Sequence, residues 1–107
     1  MIKEFQIKGL EKLVNSSAIK DIYPMVDRII IRDDNYETGR GNKLISVDIF
    51  LNDENITKEN MYDREFDPHY LIDYHIKSYF PYFNLKKIVM DFIVWGPDGN
   101  IVYSFSN

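Results

Sequence analysis

The two histidines of the chain, His69 and His75, are the residues whose type could support acid–base or metal chemistry. Asp73 follows His69 by four positions, a spacing that places both side chains on one face of a helix. Such a carboxylate can orient an imidazole as a general base, or the pair can begin a metal site. The neighbouring sequence supplies no third ligand, and His75 falls on a different helical face. An ordinary surface pair is the simpler interpretation, and a small enzyme using His69 and Asp73 is retained as an alternative.

Other groups that could bind an ion lack the spacing that their chemistry requires. The carboxylate pairs at 33–34 and 53–54 do not have the ligand spacing of a calcium loop. The glycines of "TGRGN", residues 38–42, precede a predicted strand, whereas a phosphate loop leads into a helix. The chain has no cysteine, which excludes disulfides and thiolate sites. We therefore predict neither a cofactor nor a metal.

Length and composition indicate a globular protein. The chain has 107 residues, of which 45% are hydrophobic, and this is enough for one domain spanning residues 1–107 with a substantial core. Its N-terminus lacks the apolar run of a signal peptide, and no segment is apolar over the roughly 18 residues that span a membrane. We expect a cytoplasmic protein without a membrane partner.

Two similar phrases indicate how the domain is organised. "IKDIYPMV" at 19–26 and "IKSYFPYF" at 76–83 each place a proline between a predicted helix and a predicted strand. Proline disfavours a helical conformation for the residue before it, so both phrases mark a helix-to-strand corner. The chain divides into unit one, about 9–52, an acidic connection, 53–67, and unit two, about 68–107.

Periodicity and turn residues predict the elements of each unit. A helix over 9–23 would bury Leu10, Leu13, Val14, Ala18 and Ile22, and a second helix would begin at Pro68, capped by Asp67. Strands are predicted at 25–33, 43–52, 85–95 and 100–106, and "GPDG", residues 96–99, would join the last two with Gly99 at positive φ.

These elements predict an α+β fold with two helices on one face of a four- or five-stranded, mainly antiparallel sheet, in the order α-β-β-α-β-β. The alternative depends on residues 2–7. If they form a strand, the fold becomes ferredoxin-like, β-α-β-β-α-β, with an added C-terminal strand.

The alternation of the strands predicts a sheet face that the helices do not cover. If Ile29, Ile31, Met90, Phe92 and Val94 point to the helices, the alternate residues must emerge on the other side. Exposed apolar area mixed with Trp and Arg is typical of protein-binding surfaces. The predicted contact residues on this face are Arg28, Ile30, Arg32, Phe50, Ile93 and Trp95.

The acidic connection 53–67 carries a net charge of −4, equal to that of the whole chain. Fifteen residues are long for a connection in a small domain, which indicates either a functional loop or partial disorder. Exposed acidic side chains would accelerate encounter with a protein partner that has a basic surface. We assign this role to Glu59, Asp63 and Glu65.

The function favoured by these features is non-enzymatic binding that blocks a partner protein. Small acidic domains without a catalytic constellation include toxin-immunity proteins and phage-encoded inhibitors of host defence. The alternatives are the small enzyme described above and a ferredoxin-like nucleic-acid-binding module, and the negative net charge disfavours nucleic acid. A homodimer through the uncovered sheet face is compatible with each of these functions.

Overall fold

The fold combines a four-stranded sheet with helical segments. A computed structural model describes residues 4–37, 43–79 and 88–106, and the side chains of residues 6–33, 44–79 and 89–106. The three helical segments between Pro68 and Tyr79 follow one another without a break, and together they are called the 68–79 helix. In chain order the elements are α1 (Glu4–Val14), α2 (Ser17–Ile22), β1 (Val26–Glu37), β2 (Lys43–Leu51), α3 (Pro68–Tyr70), a π-helical turn (Leu71–Ile76), a 3₁₀ turn (Lys77–Tyr79), β3 (Ile88–Trp95) and β4 (Ile101–Ser106).

The sheet has the strand order β1-β2-β3-β4. β1 pairs antiparallel with β2, and β3 pairs antiparallel with β4, whereas β2 and β3 are parallel neighbours. The predicted α+β fold, with its mainly antiparallel sheet and α-β-β-α-β-β order, is therefore confirmed. The parallel pair was not anticipated, and it requires the chain between β2 and β3 to cross the length of the sheet.

The core lies between the helices and one face of the sheet. Alternate residues of the two central strands are almost fully buried, as the predicted strand periodicity requires. α1, α2 and the 68–79 helix supply the opposing apolar side chains. The strand residues of this core are Val26, Ile29, Ile31, Ile45, Val47, Ile49, Leu51, Met90, Phe92 and Val94, and the helical ones are Ile7, Leu10, Val14, Ile19, Leu71, Ile72 and Ile76.

The predicted first helix, 9–23, is wrong as a continuous element, because the chain breaks between α1 and α2. Asn15 lies at the break and binds the backbone of β1. Its side-chain amide donates to the Ile29 carbonyl at 2.8 Å, and its side-chain oxygen accepts from the Ile29 N–H at 2.7 Å. The break changes which face of α2 is buried. Ile19 and Tyr23 are buried in place of Ala18 and Ile22, and Ile22 is 53% exposed.

The N-terminal segment bears on the ferredoxin-like alternative. Residues 4–7 belong to α1, where Ile7 is buried, so they do not form the additional strand. Residues 2 and 3 lie outside the described part of the chain. The order α-β-β-α-β-β therefore describes the fold from residue 4 onwards.

The second helix begins as its sequence predicts. The Asp67 side chain accepts a hydrogen bond from the Tyr70 N–H at 3.1 Å, and Pro68 occupies the first helical position. Leu71, Ile72 and Ile76 are fully buried, and Tyr79 packs at the edge of the core. Phe80, the predicted corner at Pro81 and predicted strand residues 85–87 lie outside the described residues.

Both turn predictions within the described residues agree with the structure. Pro24 lies between α2 and β1, at the predicted helix-to-strand corner. In the β3–β4 hairpin, Gly99 has φ of +86°, and the Gly96 N–H donates to the Asn100 carbonyl at 2.8 Å. The strand predicted at 25–33 continues further, since β1 runs to Glu37, and residues 38–42 lie outside the described residues.

We predict that Asn15→Ala destabilises the fold by about 1–3 kcal/mol, because it removes the partners of the N–H and C=O groups of Ile29 at a partly buried position. Asn15→Asp should recover little of the lost stability, since a carboxylate accepts from the Ile29 N–H but cannot donate to the Ile29 carbonyl. Urea unfolding measures the loss. Asn52→Ala is the matched control, because Asn52 donates to the Pro24 carbonyl at an exposed position. Equal losses for the Asn15→Ala and Asn52→Ala variants would contradict this account of the α1–α2 break.

Candidate binding face of the sheet

The side of the sheet away from the core presents a continuous surface that we call the open face. The pairing register aligns its residues in rows across the strands, because residues opposite each other point to the same side. One row contains Arg28, Phe50 and Trp95, the next Ile30, Asp48 and Ile93, and the third Arg32, Ser46 and Asp91. β4 adds Ser104 and Ser106 opposite Ile93 and Asp91. All six predicted sheet contact residues therefore lie on this one surface.

The row nearest the β3–β4 hairpin is a stack of an arginine and two aromatic rings. The guanidinium carbon of Arg28 lies 4.6 Å from the centroid of the Phe50 ring. Phe50 and Trp95 lie nearly parallel, with centroids 6.4 Å apart. Arg28 is exposed, whereas both rings are half-buried. The row borders a shallow depression of about 530 Å³, whose lining residues include Asn52 and Pro97.

The middle row contains a carboxylate on a central strand. Asp48 is only 7% exposed, and both of its oxygens have partners. Oδ1 accepts from the Trp95 indole N–H at 3.1 Å, and Oδ2 lies 3.0 Å from Nη2 of Arg32. Asp48 therefore holds two of the predicted contact residues, Trp95 and Arg32, in position from within the sheet. Leaving this carboxylate unpaired at such low exposure would be costly.

Asp48 is the residue of this candidate site that sequence reasoning missed. A signal was present, since Asp48 is a single carboxylate in the otherwise apolar centre of "LISVDIFL", 44–51. A central strand has neighbours on both sides, so a charge there needs a partner on an adjacent strand. The identity of those partners depends on the register, which alternation alone does not specify.

The acidic connection 53–67 is ordered. Its side chains Ile56, Met61 and Phe66 are buried in the core. Thr57 and Asn60 cap a helical turn reciprocally, with the Thr57 N–H donating to the Asn60 side chain at 2.7 Å and the Asn60 N–H donating to the Thr57 hydroxyl at 3.2 Å. The interpretation of partial disorder is therefore wrong for this segment.

The end of the same turn has unusual backbone geometry. Glu65 has φ of +61°, where glycine is the usual residue, and the Phe66 N–H donates to the Met61 carbonyl at 2.9 Å. This closure directs Phe66 into the core. The three predicted docking acids, Glu59, Asp63 and Glu65, are all exposed on the connection and lie off the open face.

His69 and Asp73 contact different neighbours. The His69 ring stacks on Phe105 with centroids 3.8 Å apart, and its Nε2 lies 2.9 Å from the Tyr103 hydroxyl. Asp73 forms an ion pair with Lys77, with 3.3 Å between Oδ1 and Nζ. The His69 contacts attach the start of the 68–79 helix to β4, whereas the Asp73–Lys77 pair lies within the helix. Among the described residues, no group of three or more His, Cys, Asp or Glu side chains is placed to hold a metal ion.

The second histidine lies in a cluster of aromatic rings. His75 contacts Tyr23, Tyr70 and Tyr74 edge to face, with centroid distances of 4.9 to 5.8 Å. Burial lowers the pKa of His75 below its ordinary value of 6.5. The neutral imidazole is therefore the form that this packing favours.

Comparisons of the chain with protein-family models, with curated proteins and with solved structures found no match. Within the described residues, the helices are too short or too polar to cross a membrane.

We predict that Asp48 and Trp95 are energetically coupled. The variants Asp48→Ala, Trp95→Phe and their combination form a double-mutant cycle, measured by urea unfolding followed by circular dichroism. Because the hydrogen bond joins a charged acceptor at low exposure, we expect a coupling of about 1–2 kcal/mol. The parallel cycle of Asp48→Ala with Phe50→Leu is the control, since no direct bond joins Asp48 to Phe50 among the contacts described. Coupling no larger than in the control would contradict the role assigned to Asp48.

Proposed function

We propose that this protein binds a partner protein through the open face and blocks it without catalysis. The observation that carries the proposal is the row of Arg28, Phe50 and Trp95, supported from within by Asp48. Tryptophan and arginine are the residues most enriched where binding energy concentrates, and their contribution depends on exclusion of water by neighbouring side chains. Ile30 and Ile93 flank Asp48 and supply that apolar surround.

The internal contacts of the open face reduce the entropic cost of binding. Immobilising a side chain rich in rotamers costs about 0.5–1.5 kcal/mol on association. The Trp95 ring is already held by the bond to Asp48 and by stacking on Phe50, and Arg32 is already held by its ion pair. A preorganised surface of this kind suits a tight inhibitor better than a transient scaffold contact.

The acidic connection supplies the electrostatic part of the proposal. Glu54 and Glu59 line a depression whose other wall is the β3–β4 hairpin, including Gly96 and Pro97. The same two hairpin residues border the depression beside Arg28 and Trp95. One partner with a basic patch could therefore contact the open face and the acidic connection together. The acids would raise the association rate, whereas the open face would determine the dissociation rate.

Among proteins that act by blocking a partner, toxin-immunity proteins and phage-encoded inhibitors of host defence fit these features best. Both act stoichiometrically and need a stable surface more than a cavity for a small molecule. The cytoplasm is the compartment in which such a protein would meet its target. The identity of the partner would distinguish these two classes of protein.

The test uses immobilised variants and a lysate of the source cell. Arg28→Ala with Phe50→Ala removes one exposed and one half-buried side chain of the open face while leaving Asp48 and Trp95 joined. Tyr74→Ala is the matched control, since Tyr74 is an aromatic residue 61% exposed on the 68–79 helix. We expect a basic protein that is retained by the wild type and the control but is lost from the double variant, with circular dichroism unchanged in all three.

The captured protein then allows a kinetic test. Replacing Glu59, Asp63 and Glu65 with Gln, Asn and Gln should slow association and reduce its salt dependence, with little change in dissociation. A double variant that is folded and retains the same proteins as the wild type would overturn the proposal. Loss of Trp95 accessibility through self-association would instead identify a second copy as the occupant of the open face.

A further inference from the structure

The two edges of the sheet differ in how they are protected. An edge strand exposes unpaired N–H and C=O groups, and proteins usually protect it with charges, prolines, bulges or covering groups. β1 has several of these features: Asn15 binds both backbone groups of Ile29, and the register is interrupted near each end of the strand. Charged residues are frequent along it, namely Asp27, Arg28, Arg32, Asp33, Asp34 and Glu37.

β4, the opposite edge, has none of these charges. Its sequence, "IVYSFS", contains neither a charged residue nor a proline, and it is rich in residues that favour strands. Ile101, Ser104 and Ser106 are exposed. Among the described strands, β3 is its one neighbour, so the sheet ends at β4.

The hairpin determines which backbone groups of β4 point outward. The Gly96 N–H donates to the Asn100 carbonyl, which makes Trp95 and Ile101 a non-hydrogen-bonded pair. The register then shifts at a bulge, so that Tyr103 lies opposite Val94. Because hydrogen-bonded and non-hydrogen-bonded pairs alternate, we assign Tyr103 and Val94 as the next hydrogen-bonded pair. Ser104 is next in this alternation, and its N–H and C=O therefore point away from β3 to the free edge.

We infer that β4 pairs antiparallel with β4 of a second copy of this chain, around a two-fold axis at Ser104, to form a continuous sheet of eight strands. In an antiparallel pair, opposing side chains must lie on the same face of the sheet, and an axis at Ser104 satisfies this condition. Ser104 then meets Ser104 of the partner copy, and Tyr103 meets Phe105 of the partner copy. β4 itself contributes no charged residue to this contact.

The second copy is the favoured occupant because the contact is self-limiting. Among the described strands, β4 is the edge without charged residues, whereas β1 carries charges and the Asn15 contacts. Pairing of two β4 strands uses both of these uncharged edges, so assembly stops at the dimer. The contact does not use Arg28, Phe50 or Trp95, so the inference goes beyond the proposed function and can fail independently of it.

Sedimentation velocity on the full chain, at concentrations up to about 1 mM, measures the assembly state. We expect a dimer for the wild type. Ser104→Pro removes the outward N–H without affecting the bonds to β3, because proline is tolerated on an edge strand where its nitrogen faces outward. It should weaken dimerisation about tenfold or more while leaving the circular dichroism spectrum unchanged.

A cysteine cross-link tests the position of the axis and does not depend on the behaviour of the proline variant. The chain contains no cysteine, so Ser104→Cys introduces a single thiol. Opposed residues of a hydrogen-bonded antiparallel pair lie about 5.5 Å apart at Cα, within the range of a disulfide. Mild oxidation should convert this variant to a covalent dimer, whereas Ser78→Cys, at an exposed position on the 68–79 helix, should remain largely uncoupled.

A wild-type protein that remains monomeric would overturn the inference. So would a dimer that resists cross-linking through residue 104, because its contact would then lie elsewhere. Rapid cross-linking of the Ser104→Cys variant, together with a concentration-dependent dimer in the wild type, would support the β4 contact even if the Ser104→Pro variant fails to fold.

Discussion

The parallel pairing of β2 and β3 is the constraint on which the rest of the structure depends. Parallel neighbours cannot be joined by a tight turn, so β2 and β3 require a crossover connection that returns along the length of the sheet. The 68–79 helix lies in this crossover and packs into the same core as α1 and α2. With all three helical elements contributing to one side of the sheet, the other side has no described helix to cover it.

The side chains of the open face are stabilised differently from those of the core face. The apolar side chains there cannot all be buried, and the central position on β2 is a carboxylate. The structure resolves this with pairwise contacts across strands: Asp48 joins Trp95 and Arg32, and Phe50 lies between Trp95 and Arg28. These contacts satisfy the buried charge and leave a surface with fixed aromatic and cationic groups. The same arrangement therefore serves both stability and the proposed binding.

Local signals in the sequence predicted the features that depend on neighbouring residues. Alternation predicted the two faces of each strand, Asp67 and Pro68 predicted a helix start, and Gly99 predicted a turn with positive φ. The break at Asn15 was missed because its partner, Ile29, lies fourteen residues away and belongs to another element. Without that contact, the pattern of apolar residues at 10–22 fits one continuous helix.

In the candidate site, too, features that depend on neighbouring residues were predicted, and contacts between distant strands were not. Alternation placed six contact residues on one surface, but it could not pair Asp48 with Trp95, 47 residues later, because that contact requires the register of two parallel strands. The burial of the acidic connection was also not predicted. Its core residues Ile56, Met61 and Phe66 recur every five positions, a spacing that matches neither the helix period nor the strand period.

No described helix covers the open face, and the accessibility of Trp95 tests most directly whether this face is free to bind. Trp95 is the single tryptophan of the chain, so its fluorescence reports this position alone. Acrylamide quenching of the isolated protein should give a constant between those of a core tryptophan and a free one. The value should be the same at low and high protein concentration, because pairing through β4 leaves the open face free. Quenching as weak as that of a core tryptophan would show that the open face is covered and would contradict the account.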